Sequence, residues 1–198
     1  DELGGAVYTN GVYAKTVVGE NATFESNAAT GGGAFYSGEY ATLEISGGTV
    51  SSNRAYSNGG AILLADGGEA IISGGTISSN VSDKGIGNGI YNGGTLTLKG
   101  AALISSDNEV YLPKGKTVTV AETLTCSGHA ATIVPQTYES GLQILDGAAM
   151  STNFTKFGLS DSAWYIVSTG CLSKELKDTV AVMSKKTAYS VEYSSLAD

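Results

Sequence analysis

The chain has 198 residues, with 28 glycines, only 2 prolines and a formal net charge of -8 at pH 7. An acidic chain with the single arginine Arg54 repels nucleic acid and anionic lipid and has no arginine cluster for phosphate. Its apolar runs are a few residues long, against the roughly 20 that a spanning helix needs, so we predict neither a nucleic-acid partner nor membrane insertion.

A repeat of 27 to 28 residues occupies the first half of the chain. One marker is a glycine pair or its variant followed by small and apolar residues, and it begins 28, 27 and 28 residues apart at Gly4, Gly32, Gly59 and Gly87. A second marker, an apolar residue followed by x-x-Asn, recurs with the same period and ends at Asn27, Asn53 and Asn80, and a fourth copy with one extra residue ends at Asn108. A third run of alternating residues lies between them. A fixed period of this length decides the architecture before any local pattern does.

Each repeat contains three short strand-like runs separated by Gly, Asn, Ser or Asp, and it has no helical periodicity. Such short strands bury their apolar face only when equivalent strands of neighbouring coils pair in parallel, about 4.8 Å apart. Leucine-rich repeats and propeller blades have similar periods, but their consensus residues are missing here. We therefore predict an all-β fold, a right-handed single-stranded parallel β-helix (solenoid) with three strands per coil.

Stacking of equivalent residues gives each column an inside or an outside position. We expect one column to fill the interior, namely Val7, Phe35, Ile62 and Ile90, and alternation then turns the next column outward, namely Tyr8, Tyr36, Leu63 and Tyr91. Sugars stack on aromatic rings, so Tyr8, Tyr36 and Tyr91 are the candidate ligand-binding residues. The alternative, tyrosine as a β-favouring surface residue, stays open.

The asparagine at the end of each second marker also forms a column. We predict a structural ladder at an inner corner, in which stacked side-chain amides hydrogen-bond to one another and to the turn backbone. The ladder consists of Asn27, Asn53, Asn80 and Asn108.

Two sequence patterns carry a family resemblance. The paired motifs Gly-Gly-Ala-Ile/Val and Phe-x-x-Asn resemble the repeats of the chlamydial polymorphic outer membrane proteins. The stretches ISGGTISSN and GIYNGGTLTL resemble β-helix repeats of large surface proteins in anaerobic gut bacteria. The similarity covers residues 4–108 and implies a parallel β-helix in an extracellular position on a bacterial surface, although such repeats serve many functions.

The glycine marker stops after Asn108, while strand-like runs continue at 109–112, 116–124, 131–134, 142–145, 154–159 and 164–168. We predict regular repeats in 1–108, irregular closing coils in 109–172, and terminal strands or a connector to a missing domain in 173–198. Phe154, Phe157 and Trp164 are expected to seal the core, because a solenoid otherwise ends on exposed apolar side chains. Only three residues precede the first marker at Gly4, and we therefore predict that the chain is part of a longer polypeptide.

Many β-helices are polysaccharide lyases or glycoside hydrolases, which need clustered carboxylates. The best candidates are Glu39 and Asp66, in adjacent coils, with Glu69 nearby; the alternative is that they are solvated loop acids. Elsewhere the acids do not repeat from coil to coil. We therefore predict no catalytic carboxylate pair.

Other chemistry-bearing residues are sparse. Cys126 and His129 lie three apart and lack a third orienting group, and one histidine with two cysteines does not make a zinc site. The second cysteine, Cys171, is expected to be a separate thiol. Outward threonines such as Thr95 and Thr97 are not expected to repeat between coils, which argues against an ice-binding plane. We predict no metal site and no cofactor.

These observations favour a noncatalytic structural and adhesive module of a bacterial cell surface, which contacts host or microbial glycan or protein. The alternative is a fragment of a β-helix carbohydrate-active enzyme, either a polysaccharide lyase or a glycoside hydrolase. The two hypotheses differ in the flanking sequence, where anchoring motifs favour the first and a carboxylate-lined groove favours the second.

Overall fold

The computed structural model describes residues 2–84 and 86–175, and these form a parallel β-solenoid of about six turns. The predicted all-β fold of parallel stacked strands is thereby confirmed. The strand-like runs at 179–183 and 187–193, and most of the predicted terminal part 173–198, lie outside the described residues.

The strands are short except where two predicted runs join. In chain order they are β1 (Val7–Thr9), β2 (Lys15–Val18), β3 (Thr23–Glu25), β4 (Ala28–Ala29), β5 (Phe35–Ser37), β6 (Thr42–Ser51), β7 (Arg54–Ala55), β8 (Ile62–Leu64), β9 (Glu69–Ser78), β10 (Val81–Ser82), β11 (Ile90–Asn92), β12 (Thr95–Gly100), β13 (Leu103–Ile104), β14 (Val110–Leu112), β15 (Val118–Leu124), β16 (Ala131–Pro135), β17 (Leu145–Asp146), β18 (Phe157–Leu159), β19 (Tyr165–Ile166) and β20 (Leu172–Ser173). The described helices are α1 (Met150–Asn153) and a 3-10 helix (Phe154–Lys156).

Three parallel sheets run along the solenoid. Sheet 1 has the order β1-β5-β8-β11-β14-β16-β18, sheet 2 contains β17-β15-β12-β9-β6-β2 with β3 and β13 beside them, and sheet 3 is β10-β7-β4. In the second and third coils, β6 and β9 each merge two predicted runs into one strand of ten residues. Their pairing shifts register around Ser46, beside the glycine pair at 47–48, so the expected break is a bulge there.

The predicted interior column of sheet 1 is confirmed in the second to fourth coils. Phe35, Ile62 and Ile90 are at most 1% exposed, and the pairing register aligns them with one another. Val7 belongs to the same column but stays partly exposed, because β1 pairs only with β5. The regular coils therefore contribute a continuous core whose first layer is open on one side.

The glycine pair of the first marker has two separate physical roles. Its first member adopts a left-handed backbone with φ between 64° and 69°, which glycine reaches without strain, at Gly4, Gly32, Gly59 and Gly87. The second member lets neighbouring coils approach. A Cβ on Gly60 would lie 2.2 Å from the carbonyl oxygen of Asn88 in the next coil.

Replacing Gly60 with alanine is expected to lower the free energy of unfolding by about 1–3 kcal/mol, the usual range for overpacking. The coils must separate locally, because the obstacle is backbone and not a flexible side chain. Chemical denaturation measures the change. Gly19→Ala is the matched control, since a Cβ there meets nothing within 4 Å and its φ is not left-handed. Equal stability of both variants would contradict the close-approach role.

The closing section differs from the prediction in two places. The prediction of a strand at 154–159 is wrong for the first half of that run, which forms the 3-10 helix after α1. Of the run predicted at 142–145, only its last residue lies in a strand, at the start of β17. Asn153 explains the helical segment, since its side chain accepts from the Leu124 N–H (2.9 Å) and donates to the Ala149 carbonyl (2.8 Å). The run at 164–168 supplies β19, which pairs antiparallel with β20 instead of continuing the parallel coils.

Large side chains pack at this end of the core, as expected. Phe157 is buried, and Phe154 and Trp164 are partly buried against the core cluster. Within residues 2–84 and 86–175, the helices are too short to cross a membrane.

Candidate functional site

The outer face of sheet 1 carries a column that we call the tyrosine strip: Tyr8, Tyr36, Leu63, Tyr91 and Tyr111. Strand pairing places these residues side by side in successive coils. Each is the middle residue of a three-residue strand and is more exposed than the residue that follows it. The predicted alignment and outward direction of the first four residues are confirmed.

Tyr111 is a strip residue that the sequence analysis missed. It lies in β14, where Val110 continues the interior column beside Ile90. The sequence contains a pattern that could have identified Tyr111. The run at 109–112 was predicted as a strand, and its Val-Tyr order repeats that of residues 7 and 8. The glycine marker had stopped by this point, so the run was not aligned with the earlier coils.

The rings of the strip stack in two pairs. Tyr8 and Tyr36 have ring centroids 4.9 Å apart and nearly parallel planes, and Tyr91 and Tyr111 have centroids 5.5 Å apart, with Leu63 between the pairs. Burial raises the pKa of Tyr36, and the neighbouring Tyr8 raises it further. The pKa of Tyr111 is raised in the same way, by burial and then by Tyr91. The phenol groups of Tyr36 and Tyr111 offer hydroxyls as well as ring surface.

Glycines beside the strip make room for these rings. A Cβ on Gly38 would lie 2.9 Å from Cε1 of Tyr36, and a Cβ on Gly93 would lie 3.2 Å from Cε1 of Tyr91. Because the rings also stack on each other, part of each ring is already covered. A ligand on this face would contact hydroxyls, ring edges and the more exposed ring of Tyr8, which is 56% exposed.

A turn joins sheet 1 to sheet 2, and we call it the corner turn. In four coils the N–H of its fourth residue donates to the carbonyl of its first, in the segments 11–14, 38–41, 65–68 and 113–116. The third residue has a left-handed φ in each case, at Tyr13 (63°), Tyr40 (61°), Gly67 (74°) and Gly115 (80°). A turn with this conformation at its third position normally requires glycine or asparagine.

Tyrosine at this position is strained in the first two coils. A left-handed conformation costs a residue with a Cβ about 1–2 kcal/mol. Tyr13 and Tyr40 regain little of this by burial, since they are 95% and 63% exposed. A hydrogen bond to the Glu39 carboxylate raises the pKa of Tyr40. Sequence analysis did not identify these residues, because their backbone conformation is not visible in a sequence pattern.

The asparagines form a continuous ladder at an inner corner. The Nδ2 of each residue donates to the Oδ1 of the next, over 2.8 Å from Asn27 to Asn53, 2.8 Å from Asn53 to Asn80 and 2.7 Å from Asn80 to Asn108. The backbone N–H groups of the first three asparagines also donate to the same oxygens. The predicted amide stacking is thus observed, and the last three asparagines are buried.

The candidate acids are not assembled into a site. The Asp66 carboxylate pairs with the Lys116 ammonium at 3.1 Å, and Glu69 accepts a hydrogen bond from the Thr42 hydroxyl at 3.1 Å. Glu39 lies beside Gly67 and Tyr40. In the part of the chain that the structure describes, no group of three or more His, Cys, Asp or Glu side chains is placed to hold a metal ion.

Cysteine and histidine residues are likewise dispersed. Cys126 is buried in the core cluster, whereas His129 is exposed. Both cysteines are free thiols, and the Cys171 thiol donates to Oε1 of Gln143 at 3.1 Å. The sequence pair Cys126 and His129 therefore has one member in the interior and the other on the surface.

The prediction that outward threonines do not repeat is wrong. Thr23, Thr49 and Thr76 pair in register over three coils of sheet 2, and each is more exposed than the apolar residue that follows it. Thr97 pairs directly with Thr119, and Thr95 lies on the same face of β12. The column ends on Ile71 at one side and Asp146 at the other. The longer column ends on Leu103 in the next coil, and the expectation against an ice-binding plane stays a prediction.

Comparison of the chain with family models, curated proteins and solved structures gives no match.

Proposed function

We propose that this chain is a noncatalytic structural and adhesive module of a bacterial cell surface, which contacts host or microbial glycan or protein through the tyrosine strip. The observation that carries the proposal is the outward column of four tyrosines over five coils of one sheet. The sheet holds the rings in fixed register, so little conformational entropy is lost when a ligand covers them. The extracellular setting rests on the resemblance of the repeats to bacterial surface proteins.

Glycan is the ligand class that the chemistry of the strip favours. The strip offers ring edges and the more exposed ring of Tyr8 to the C–H groups of a sugar, and tyrosine hydroxyls to its polar groups. The hydroxyls of Tyr36 and Tyr111 can both donate and accept hydrogen bonds. Neighbouring rings of a pair follow the spacing of the coils, with centroids 4.9 and 5.5 Å apart.

The enzyme alternative rests on Glu39 and Asp66, with Glu69 nearby. The Glu39 carboxylate is hydrogen-bonded to Tyr40, the Asp66 carboxylate pairs with Lys116, and Glu69 accepts a hydrogen bond from Thr42. A hydrolase needs two carboxyl groups about 5 to 9.5 Å apart with a sugar between them. We therefore propose binding without catalysis, and release of new reducing ends from a bound glycan would contradict this part of the proposal.

The test is a double variant of the strip. Tyr36→Ala with Tyr91→Ala removes one ring of each stacked pair, and we expect the affinity for glycans on an array, or for mucin, to fall about tenfold or more. Tyr36→Phe with Tyr91→Phe keeps both ring stacks and separates the hydroxyl contribution from the ring contribution. Circular dichroism and thermal melting establish that each variant is folded.

Tyr56→Ala is the matched control, because Tyr56 is 55% exposed and lies after β7 of sheet 3, with the Arg54 guanidinium 5.4 Å from its ring centroid. This variant is expected to bind like the native chain. Equal affinity of the native chain and the folded strip double variant would end the proposal.

A further inference from the structure

We infer that Tyr13 and Tyr40, at the corner turns of the first two coils, extend the tyrosine strip into a single binding surface for a neutral glycan. This inference rests on the proposed glycan-binding function and names the ligand class and further contact residues. The surface comprises the corner pair together with the adjacent strip pair Tyr8 and Tyr36.

The first step is the strain at the corner turn. Gly67 and Gly115 occupy the equivalent left-handed position in other coils without a Cβ, so the turn itself does not require a side chain. Tyr13 and Tyr40 occupy it with large rings that project into solvent. Burial does not explain this choice, and backbone strain of this kind is concentrated at functional sites. Contact with a ligand that covers the rings explains why tyrosine occupies this strained position.

The second step is proximity. The two strip tyrosines stack on each other, and each is followed by its own corner tyrosine four or five residues later. Even a fully extended chain of that length spans at most about 18 Å. The Asn10 side chain lies beside the Tyr36 ring, because a Cβ on Gly38, the first residue of the second corner turn, would meet both Asn10 Oδ1 and Cε1 of Tyr36. An exposed amide beside an aromatic ring is suited to the hydroxyl groups of a sugar.

The third step separates glycan from protein as the partner. An aromatic side chain contributes about 150–250 Å² when it is fully buried, and Tyr36 is already partly covered by its neighbours. Four freely accessible rings would supply about 600–1,000 Å², close to the roughly 800 Å² that each partner of a stable protein complex buries, and the stacking of Tyr8 on Tyr36 lowers the area that is left for a partner. The surface therefore fits a chain of a few sugars better than a folded protein.

The fourth step is charge. The protein carries a formal net charge of -8, and the Glu39 carboxylate lies within the corner turn, hydrogen-bonded to Tyr40. The cation at the start of the next strand, Lys15, is paired with Glu44 at 2.7 Å. Carboxylated or sulfated sugars would be repelled here, so the expected ligand is uncharged.

The experiment compares variants of the full chain for binding to immobilised hexasaccharides. The neutral probes are hexamers of glucose, mannose and N-acetylglucosamine, and the anionic probe is a hexamer of galacturonic acid. Tyr13→Gly with Tyr40→Gly is expected to raise Tm by about 4 °C, because the strain is relieved. The same variant is expected to bind the best neutral probe at least tenfold more weakly. Tyr13→Phe with Tyr40→Phe is expected to retain most of the affinity.

Tyr56→Gly is the matched control, since it removes an exposed ring from a residue without left-handed φ. Its affinity is expected to be unchanged and its Tm not raised. A lower Tm for the corner double variant would overturn the strain argument. Unchanged affinity of that variant, with weaker binding by Tyr36→Ala and Tyr91→Ala, would overturn the corner surface and leave the proposed function standing.

Two further outcomes overturn the assignment of the ligand. Stronger binding of the galacturonic acid hexamer than of every neutral probe would show that the surface does not select uncharged sugars. Absence of binding to all neutral probes by the native chain would remove this inference. If mucin binding through the strip residues persists in that case, the proposed function itself survives.

Discussion

Replacing Asn53 and Asn80 together with alanine is expected to lower the free energy of unfolding by about 5 kcal/mol, because each buried polar group left without a partner costs about 1–3 kcal/mol. The Oδ1 atom of Asn80 accepts both the backbone N–H and the Nδ2 of Asn53. The Asn80 Nδ2 in turn donates to the Val50 and Ser78 carbonyls and to Asn108. Loss of these contacts leaves several buried donors and acceptors unpaired.

A loss of this size is comparable to the total stability of many domains, about 5–15 kcal/mol, so the double variant is expected to be largely unfolded near physiological temperature. Urea denaturation followed by circular dichroism measures it. Asn27→Ala is expected to lower the free energy of unfolding by less than the double variant does, because Asn27 is partly exposed and lies at the end of the ladder. Asn21→Ala, at an exposed turn position, is the matched control, and a double variant as stable as this control would contradict the ladder's structural role.

Replacing Ile62 with alanine is expected to lower the free energy of unfolding by about 2–5 kcal/mol, the usual range for a fully buried isoleucine. Ile62 is fully buried in the middle of the sheet 1 column, between Phe35 and Ile90. A cavity in this layer is closed on both sides by neighbouring coils, so the surrounding side chains have little room to relax. Thermal and chemical denaturation give the change in the free energy of unfolding.

The same column provides a matched comparison with one substitution at two depths. Val110→Ala removes a fully buried side chain next to Ile90, whereas Val7→Ala removes a partly exposed one in the first coil. We expect the free energy of unfolding to fall by at least about 1 kcal/mol more in Val110→Ala than in Val7→Ala, because the Val110 side chain buries more apolar area. Equal losses would show that the first coil is as tightly packed as the centre of the solenoid.

Sequence periodicity predicted the fold well in the regular coils because each structural requirement recurs at a fixed spacing. The interior column, the stacked asparagines and the glycine pairs all follow from parallel stacking of equivalent residues. The closing section was predicted less well, because local hydrogen bonds of Asn153 favour a helical segment where the apolar pattern favours a strand.

The tyrosine strip was predicted in part. Alternation along the strands placed Tyr8, Tyr36 and Tyr91 outward, and the marker that aligned them ended before Tyr111. The pairing of the rings depends on their rotamers and on the glycines beside them, which a linear pattern does not specify.

The sequence by itself determined that the chain stacks into a parallel solenoid, since an apolar column repeated every coil has no other way to leave water. Only the tertiary structure decided which outward side chains stand in strained or stacked positions. Tyr13 and Tyr40 look like ordinary turn residues in the sequence, and the left-handed backbone they adopt is imposed by the neighbouring coils, whose hydrogen bonds hold the corner in one conformation.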